Sequence, residues 1–514
     1  MKHITTILLC SGLLVMGSCN EELLEKTNPN QLTPDNYFKT AAELQTGVNS
    51  VYALMQGNGL VGREYFFLHD LRSDEVASGG GQLETPRNQI LIGAQISSNP
   101  VIGEVWNGYY RLIQRANTVI EKGADVTDNP TLVAQSIGEA KFLRAWAYYD
   151  LASLFGRVPV YTTVPTSATE TQARQDLNDI YALIEKDLAD IQSSLPVKYN
   201  GAELGRATRG AAQMLLAKVY MNRGKYAEAK AELQKMISSG AYGLTANYVD
   251  NFSEETEWNR ESVFEIGYST IGDVNWAGDG DDPSWGLQER STRSQEYSPV
   301  GWRNLIPSQK LINEYESVFA GDAKTDPRRG FTIIKVGDAF ANGTEVLQDG
   351  AVQGNTSTFE GATTKVSWLK YSYLYKTNPG GYLTSGINHR LMRYADALLM
   401  MAECENETGN VSGAVALLNQ VRARPSVNMP AYPTARFPVG NKDQVFAAIQ
   451  HERSVELAGE QWRNRDILRW RLLKKLTTEP ISYFQANKQE LLPLPQSEID
   501  NNDKIEGSDQ NPGY

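Results

Sequence analysis

Cysteine is almost missing from this chain: three occur in 514 residues, at positions 10, 19 and 404. A disulfide framework is thereby excluded, and the fold must rest on the size of its core. Cys404 lies inside a helical pattern and reads as a small buried hydrophobe. Histidine is nearly as scarce, and His69, His389 and His451 stand far apart. "HERSV" at 451–455 lacks the second His of a zinc-binding helix, and no Gly-x-Ser-x-Gly elbow occurs. No catalytic residue and no metal or other cofactor is therefore assigned. An excess of positive charge is lacking too: the net charge is −12, and Lys and Arg are scattered. That excludes the basic face nucleic acid requires. Past residue 17 no apolar run is long enough to span a bilayer. What is present is ordinary globular composition, 41% hydrophobic and 21% charged.

The N-terminus, "MKHITTILLCSGLLVMGSCNEELLEK", carries one early lysine, an apolar stretch over 4–17, then small residues before Cys19. This reads as a lipoprotein signal peptide over 1–18, with Cys19 acylated as the first mature residue. Each buried acyl CH₂ contributes about 0.8 kcal/mol, so several chains on one cysteine anchor a protein without a spanning helix. Residues 19–33 read as a polar tether, and 34–514 as a single domain.

Within that domain helical periodicity recurs. Trp106, Tyr109, Ile113, Ala116 and Ile120 form one stripe; Ala140, Leu143, Ala147, Leu151 and Leu154 form another, with Gly156 as a stop. In "GRATRGAAQMLLAKVYMNRGKYAEAKAELQKMISSG", Ala217, Tyr220, Gly224, Tyr226 and Ala229 stand where a tetratricopeptide pair places small, aromatic and turn residues. Leu391, Tyr394, Leu398 and Met401, then Ala414, Leu417, Leu418 and Val421, predict a second pair, and 444–472 a third. The fold class expected is mostly α: tetratricopeptide-like helix pairs in a superhelical scaffold, with helical repeats at about 34–240 and 388–475. A loop-rich, β-poor subdomain is inserted at about 241–388, with strands expected at "SVFEIGYS" and "GFTIIKV". "GNGLVG" at 57–62 follows a helical stretch and reads as a turn, not a nucleotide loop. Glu452, Glu456 and Glu460 share one helix face and are expected to hold helices together by ion pairs.

The ordered set of these segments resembles the SusD/RagB family of surface lipoproteins. The matching stretches include "LTPDNYFKTAAELQTGVNSVYALM", "VWNGYYRLIQRANTVI", "EAKFLRAWAYYDLASLFGRVPV", "HRLMRYADALLMMAECENETG" and "HERSVELAGEQWRNRDILRW". The chain also closes on Gln-Asn-Pro-Gly-Tyr. The resemblance implies a helical fold with four tetratricopeptide-like pairs and an outer-membrane location facing the exterior. It also implies a SusC-like TonB-dependent transporter as partner, to which a bound glycan is delivered. A peptide- or glycopeptide-binding role and a surface glycoside hydrolase are the alternatives. The family's ligand loops do not align with this chain, so site residues come from the physics of the side chains.

Four of the nine tryptophans, Trp258, Trp276, Trp285 and Trp302, fall within 45 residues, in a stretch of loop composition. A flat indole covers the C–H face of a sugar, while Asp, Asn and Arg bond its hydroxyl rim. The ligand-binding residues expected are Trp276 with Asp273 and Asn275, Trp285 with Asp281, and Tyr297, Trp302 and Trp368. Arg72 and Asp74, in "HDLRSDEVASGGGQ", form a second candidate. The acidic string Asp273, Asp279, Asp281 and Asp282 lacks the spacing of a calcium-binding EF-hand.

Overall fold

The computed structural model describes residues 33–167, 169–272, 274, 289–315, 325–377, 381 and 383–514. Among these, ten helices of eleven residues or more carry the architecture. They are α1 (Ala41–Gln56), α2 (Pro100–Gly123), α3 (Pro130–Phe155), α4 (Leu177–Asp190), α5 (Arg209–Asn222), α6 (Tyr226–Ser238), α7 (Tyr394–Glu407), α8 (Val411–Arg422), α9 (Lys442–Leu457) and α10 (Trp462–Leu472). Their starts are written locally. Asn99 and Asn129 each cap a backbone N–H and are followed by proline at the first helical position. Thr208, Asn410 and Asn441 cap α5, α8 and α9 in the same way.

The helices stack in order. α2 packs on α3, α3 on α4, α4 on α5, α5 on α6, α6 on α7, and α7 on both α8 and α9. α5 is buried over nearly its whole length because α4 and α6 cover it from two sides, which is why its sequence is apolar almost all round. The α5–α6 turn passes through Gly224 at φ 69°, a left-handed position a side chain would strain. No helix among the described residues is long and apolar enough to cross a membrane.

The mostly α, β-poor architecture agrees with the periodicity. The described strands pair two by two, all antiparallel: β1 (Val76–Ser78) with β3 (Leu305–Pro307), β2 (Ser262–Ile266) with β6 (His389–Arg393), and β4 (Ile333–Lys335) with β5 (Val366–Trp368). Two short hairpins lie at 339–346 and 357–364. One element differs from expectation. Leu391, assigned above to a helical stripe, lies in β6, whose five residues are all buried, and the helix begins only at Tyr394. A strand buried on both faces shows no alternation to distinguish it from the first turn of a helix.

A buried ion cluster fixes the inserted region onto the repeats. Arg328 reaches Glu452 at 3.0 Å and Glu456 at 3.1 Å. Arg393 reaches Glu456 at 2.7 Å and Glu460 at 2.6 Å, and Arg424 reaches Glu456 at 2.8 Å. Lys370 closes on Glu460 at 2.5 Å. The three glutamates on one face of α9 and just beyond it thus join residues 326–370 to β6 and to the segment just past α8, a wider span than two helices.

Candidate functional site

The expected site residues separate into three groups. Asp273, Asn275, Trp276, Asp281 and Trp285 lie outside the described residues, as does Cys19. The chain leaves and rejoins the described structure around them at one point, where the Ser269 N–H donates to the Glu289 carbonyl at 2.6 Å.

Four others are interior and structural, which corrects the expectation. Tyr297 is 3% exposed; its hydroxyl donates to Asp70 at 2.9 Å and its ring stands edge-on to Phe66 and Phe67. Trp368 is 2% exposed, held in β5 with its ring against Gly459. Arg72 is buried and donates to the Gln489 carbonyl at 3.0 Å, tying the chain's last segment to the helix Glu64–Leu71. The Asp74 carboxylate takes a two-pronged bond from Arg463 at 2.7 and 2.8 Å. Burial alone would raise the Asp74 pKa, but Arg463 and then Lys310 hold it below the ordinary value. Tyr297, Arg72 and Asp74 each find a polar partner inside the protein.

Trp302 makes up the third group. It is half-buried, with the Arg63 guanidinium 5.9 Å from its ring centre. Its neighbour Arg303 builds the site around it. Arg303 is 1% exposed and left-handed at φ 52°. Its guanidinium donates to the carbonyls of Gly79 (3.0 Å), Gln353 (2.6 Å), Asn355 (2.9 Å) and Val366 (2.7 Å), and to the Ser367 hydroxyl (2.9 Å). Among the described residues no carboxylate answers its charge, and burial pushes its pKa down to about 10. One buried cation therefore stitches two loops and β5 into a single ledge. Gly79 and Gly354 allow the close approach: a Cβ on Gly79 would fall 1.6 Å from the Arg303 carbonyl oxygen, and one on Gly354 1.9 Å from the Gly79 oxygen.

On the ledge Gln82, Glu84, Gln353 and Asn355 are exposed and Trp302 is half-buried. Gln353 donates to the Trp302 carbonyl at 3.2 Å and Asn355 to the Ser78 carbonyl at 3.1 Å. An aromatic face flanked by amides and a carboxylate matches an apolar ring with a hydroxyl rim. Nothing in the local sequence marks Arg303, Gln353 or Asn355; the available signal is the run Gly79–Gly80–Gly81. The stretch singled out around Arg72 does reach the site, but through its glycines.

The histidines give no catalytic arrangement. His69 lies between Asp150 and Asn464, buried, and burial followed by Arg465 lowers its pKa to about 4. His389 bonds Gln461, and His451 bonds Glu314. Among the described residues no cluster of His, Cys, Asp and Glu has the form of a metal site.

Comparison with known proteins matches the chain along most of its length. A family model described as "SusD family" matches residues 260–514, and one described as "Starch-binding associating with outer membrane" matches 22–221. A tetratricopeptide repeat model matches 211–239, the α5–α6 pair. SusD-like protein P2 of Formosa agariphila is 29% identical over 98% of each chain. A SusD superfamily protein of Bacteroides vulgatus superposes with a TM-score of 0.76 at 23% identity, covering 93% of this chain and all of that one. A laminarin binding SusD-like protein superposes with a TM-score of 0.71 at 25% identity, with the same coverage.

Proposed function

The chain belongs to the SusD/RagB family, and from that premise we propose that it binds an oligosaccharide or polysaccharide at the cell surface and delivers it to a TonB-dependent transporter. It acts by binding, not by catalysis. The observation that carries this reading is the ledge: a half-buried Trp302 among exposed amides, held by a buried arginine, on the scaffold shared with a laminarin-binding relative. Trp276 and Trp285 are proposed as further ring contacts, with Asp273, Asn275 and Asp281 bonding the hydroxyl rim. Many ring contacts, each contributing little, retain a repetitive polymer. Acylated Cys19 and the tether 19–33 hold the domain 34–514 at the outer face of the outer membrane.

Titration of the purified mature chain against a glycan panel that includes laminarin tests this. Binding to at least one glycan is expected, weakened at least ten-fold by Trp302→Ala (~1.4 kcal/mol) and further by Trp276→Ala with Trp285→Ala. No reducing sugar should be released. Preference for peptides over every glycan, or hydrolysis of the bound chain, would replace the reading.

A further inference from the structure

A second aromatic depression lies away from the ledge, built by other elements. It encloses about 540 Å³ between α1, residues 202–206 and the end of β2, the size of a small-molecule site. Its rings are Tyr52 on α1, Trp258 and Tyr268. Trp258 is held there against resistance. It is left-handed at φ 55°, its backbone N–H donates to Glu265 at 2.6 Å, and its indole edge runs between two glycines. A Cβ on Gly205 would meet that edge at 2.7 Å, and one on Gly267 at 3.2 Å. A bulky residue in a left-handed conformation is costly, and such strain persists only where the surroundings over-determine it.

The polar groups of the cleft are placed by bonds of their own. Gln56 donates to the Gly267 carbonyl at 2.7 Å, and the Tyr52 hydroxyl accepts from the Ala207 N–H at 2.8 Å. Arg206 lies 6.0 Å over the Tyr52 ring and reaches Asn49 at 2.7 Å. Its charge is already answered by Glu139 at 2.9 Å and by Glu203. Glu265, on the wall, faces Arg390 at 3.1 Å, and Glu289 stands at the rim. Leu204, 38% exposed, adds an apolar lip.

We propose that this cleft is a second saccharide-binding subsite, specific for uncharged sugar units. The juxtaposition of three aromatic rings with amide, hydroxyl and carboxylate groups fits a pyranose with free hydroxyls. Among the described residues its one lining cation is committed to two carboxylates, Glu265 is answered by Arg390, and Glu289 adds negative charge at the rim, so a uronate or sulfated sugar meets repulsion. The cleft and the ledge share no residue. A long glycan held at both gains from the second contact as an intramolecular event.

The inference rests on the glycan-binding reading, and calorimetric titration separates the two. The mature chain is titrated with neutral oligosaccharides of increasing length and with uronic-acid and sulfated ones, alongside Trp258→Ala, Ala202→Arg and Trp302→Ala. Ala202 is exposed on the cleft rim, so Ala202→Arg blocks the cleft without touching the core, and a thermal melt equal to wild type verifies its fold. Expected is a loss of about ten-fold in affinity for long neutral chains in both cleft variants, additional to the loss in Trp302→Ala. Wild-type affinity in Ala202→Arg for every glycan the native chain binds overturns the subsite while the ledge stands. Charged glycans losing affinity as neutral ones do in Ala202→Arg overturns the assignment of sugar class. No binding of any glycan by the native chain overturns both readings.

Discussion

Glu456 gathers more positive charge than any single carboxylate can answer alone. Arg328, Arg393 and Arg424 all lie within 3.1 Å of it, inside the protein, with Glu261, Glu452 and Glu460 completing the balance. Breaking a buried ion network by removing one partner strands charge that water cannot reach. Glu456→Gln is therefore expected to cost about 3–5 kcal/mol of unfolding free energy in a denaturant titration. A loss below about 1 kcal/mol would mean the arginines find other partners. The same cluster sets the acid limb of stability. Burial opposes ionisation of Glu261, but Arg424 and Arg393 outweigh it and push its pKa down to about 2 from the ordinary 4.5. A depressed carboxylate stabilises the fold above the unfolded pKa and loses that contribution as pH falls through the folded one. The melting temperature should fall between about pH 4.5 and 2, and less steeply for Glu261→Gln than for the native chain. Parallel curves would remove Glu261 from the account.

At the scale of elements, the ledge has the least redundancy. Two loops and β5 meet on one guanidinium, and nearly all the bonds are to backbone carbonyls. Arg303→Met would leave those carbonyls buried and unanswered, at about 1–3 kcal/mol for each that finds no water. Hydrogen exchange should quicken in residues 79–83 and 353–355, and glycan affinity should fall although Trp302 is intact. Unchanged exchange in both segments would show that the loops hold themselves. The helix pairs behave differently. In α5 and α6 the spacing of Ala217, Tyr220 and Ala229 already states which faces meet, because small residues let the axes approach and aromatics fill what remains. That pattern was legible before any coordinate. The burial of Tyr297 and Trp368 was not: their neighbours Phe66, Phe67 and Gly459 lie far off along the chain, and loop composition says nothing of what will cover a ring.

For the whole molecule, the repeats make a frame and the inserted region makes the surface, joined through Arg328 and Lys370 to α9. A rigid join keeps the ledge at a set position relative to the helices, as the proposed delivery of a glycan to a transporter requires. The proposed lipid anchor is tested separately. Cys19→Ser is expected to shift the protein from the membrane fraction to the soluble one while leaving glycan affinity in solution unchanged. Retention in washed membranes would assign the attachment to the transporter interface instead.

The sequence by itself determined the helical scaffold, the family, the scarcity of strands and the absence of a catalytic motif. Each is carried by periodicity, capping residues or ordered local segments, all properties of neighbours along the chain. Only the tertiary structure decided which aromatic rings face water and which polar groups are already satisfied. Arg72 and Asp74 read as ligand contacts until Gln489 and Arg463 are seen beside them, and Arg303 reads as nothing until two loops and β5 close on it. The physical reason is that exposure and hydrogen-bond satisfaction are set by contacts between residues hundreds of positions apart, and no local pattern records them.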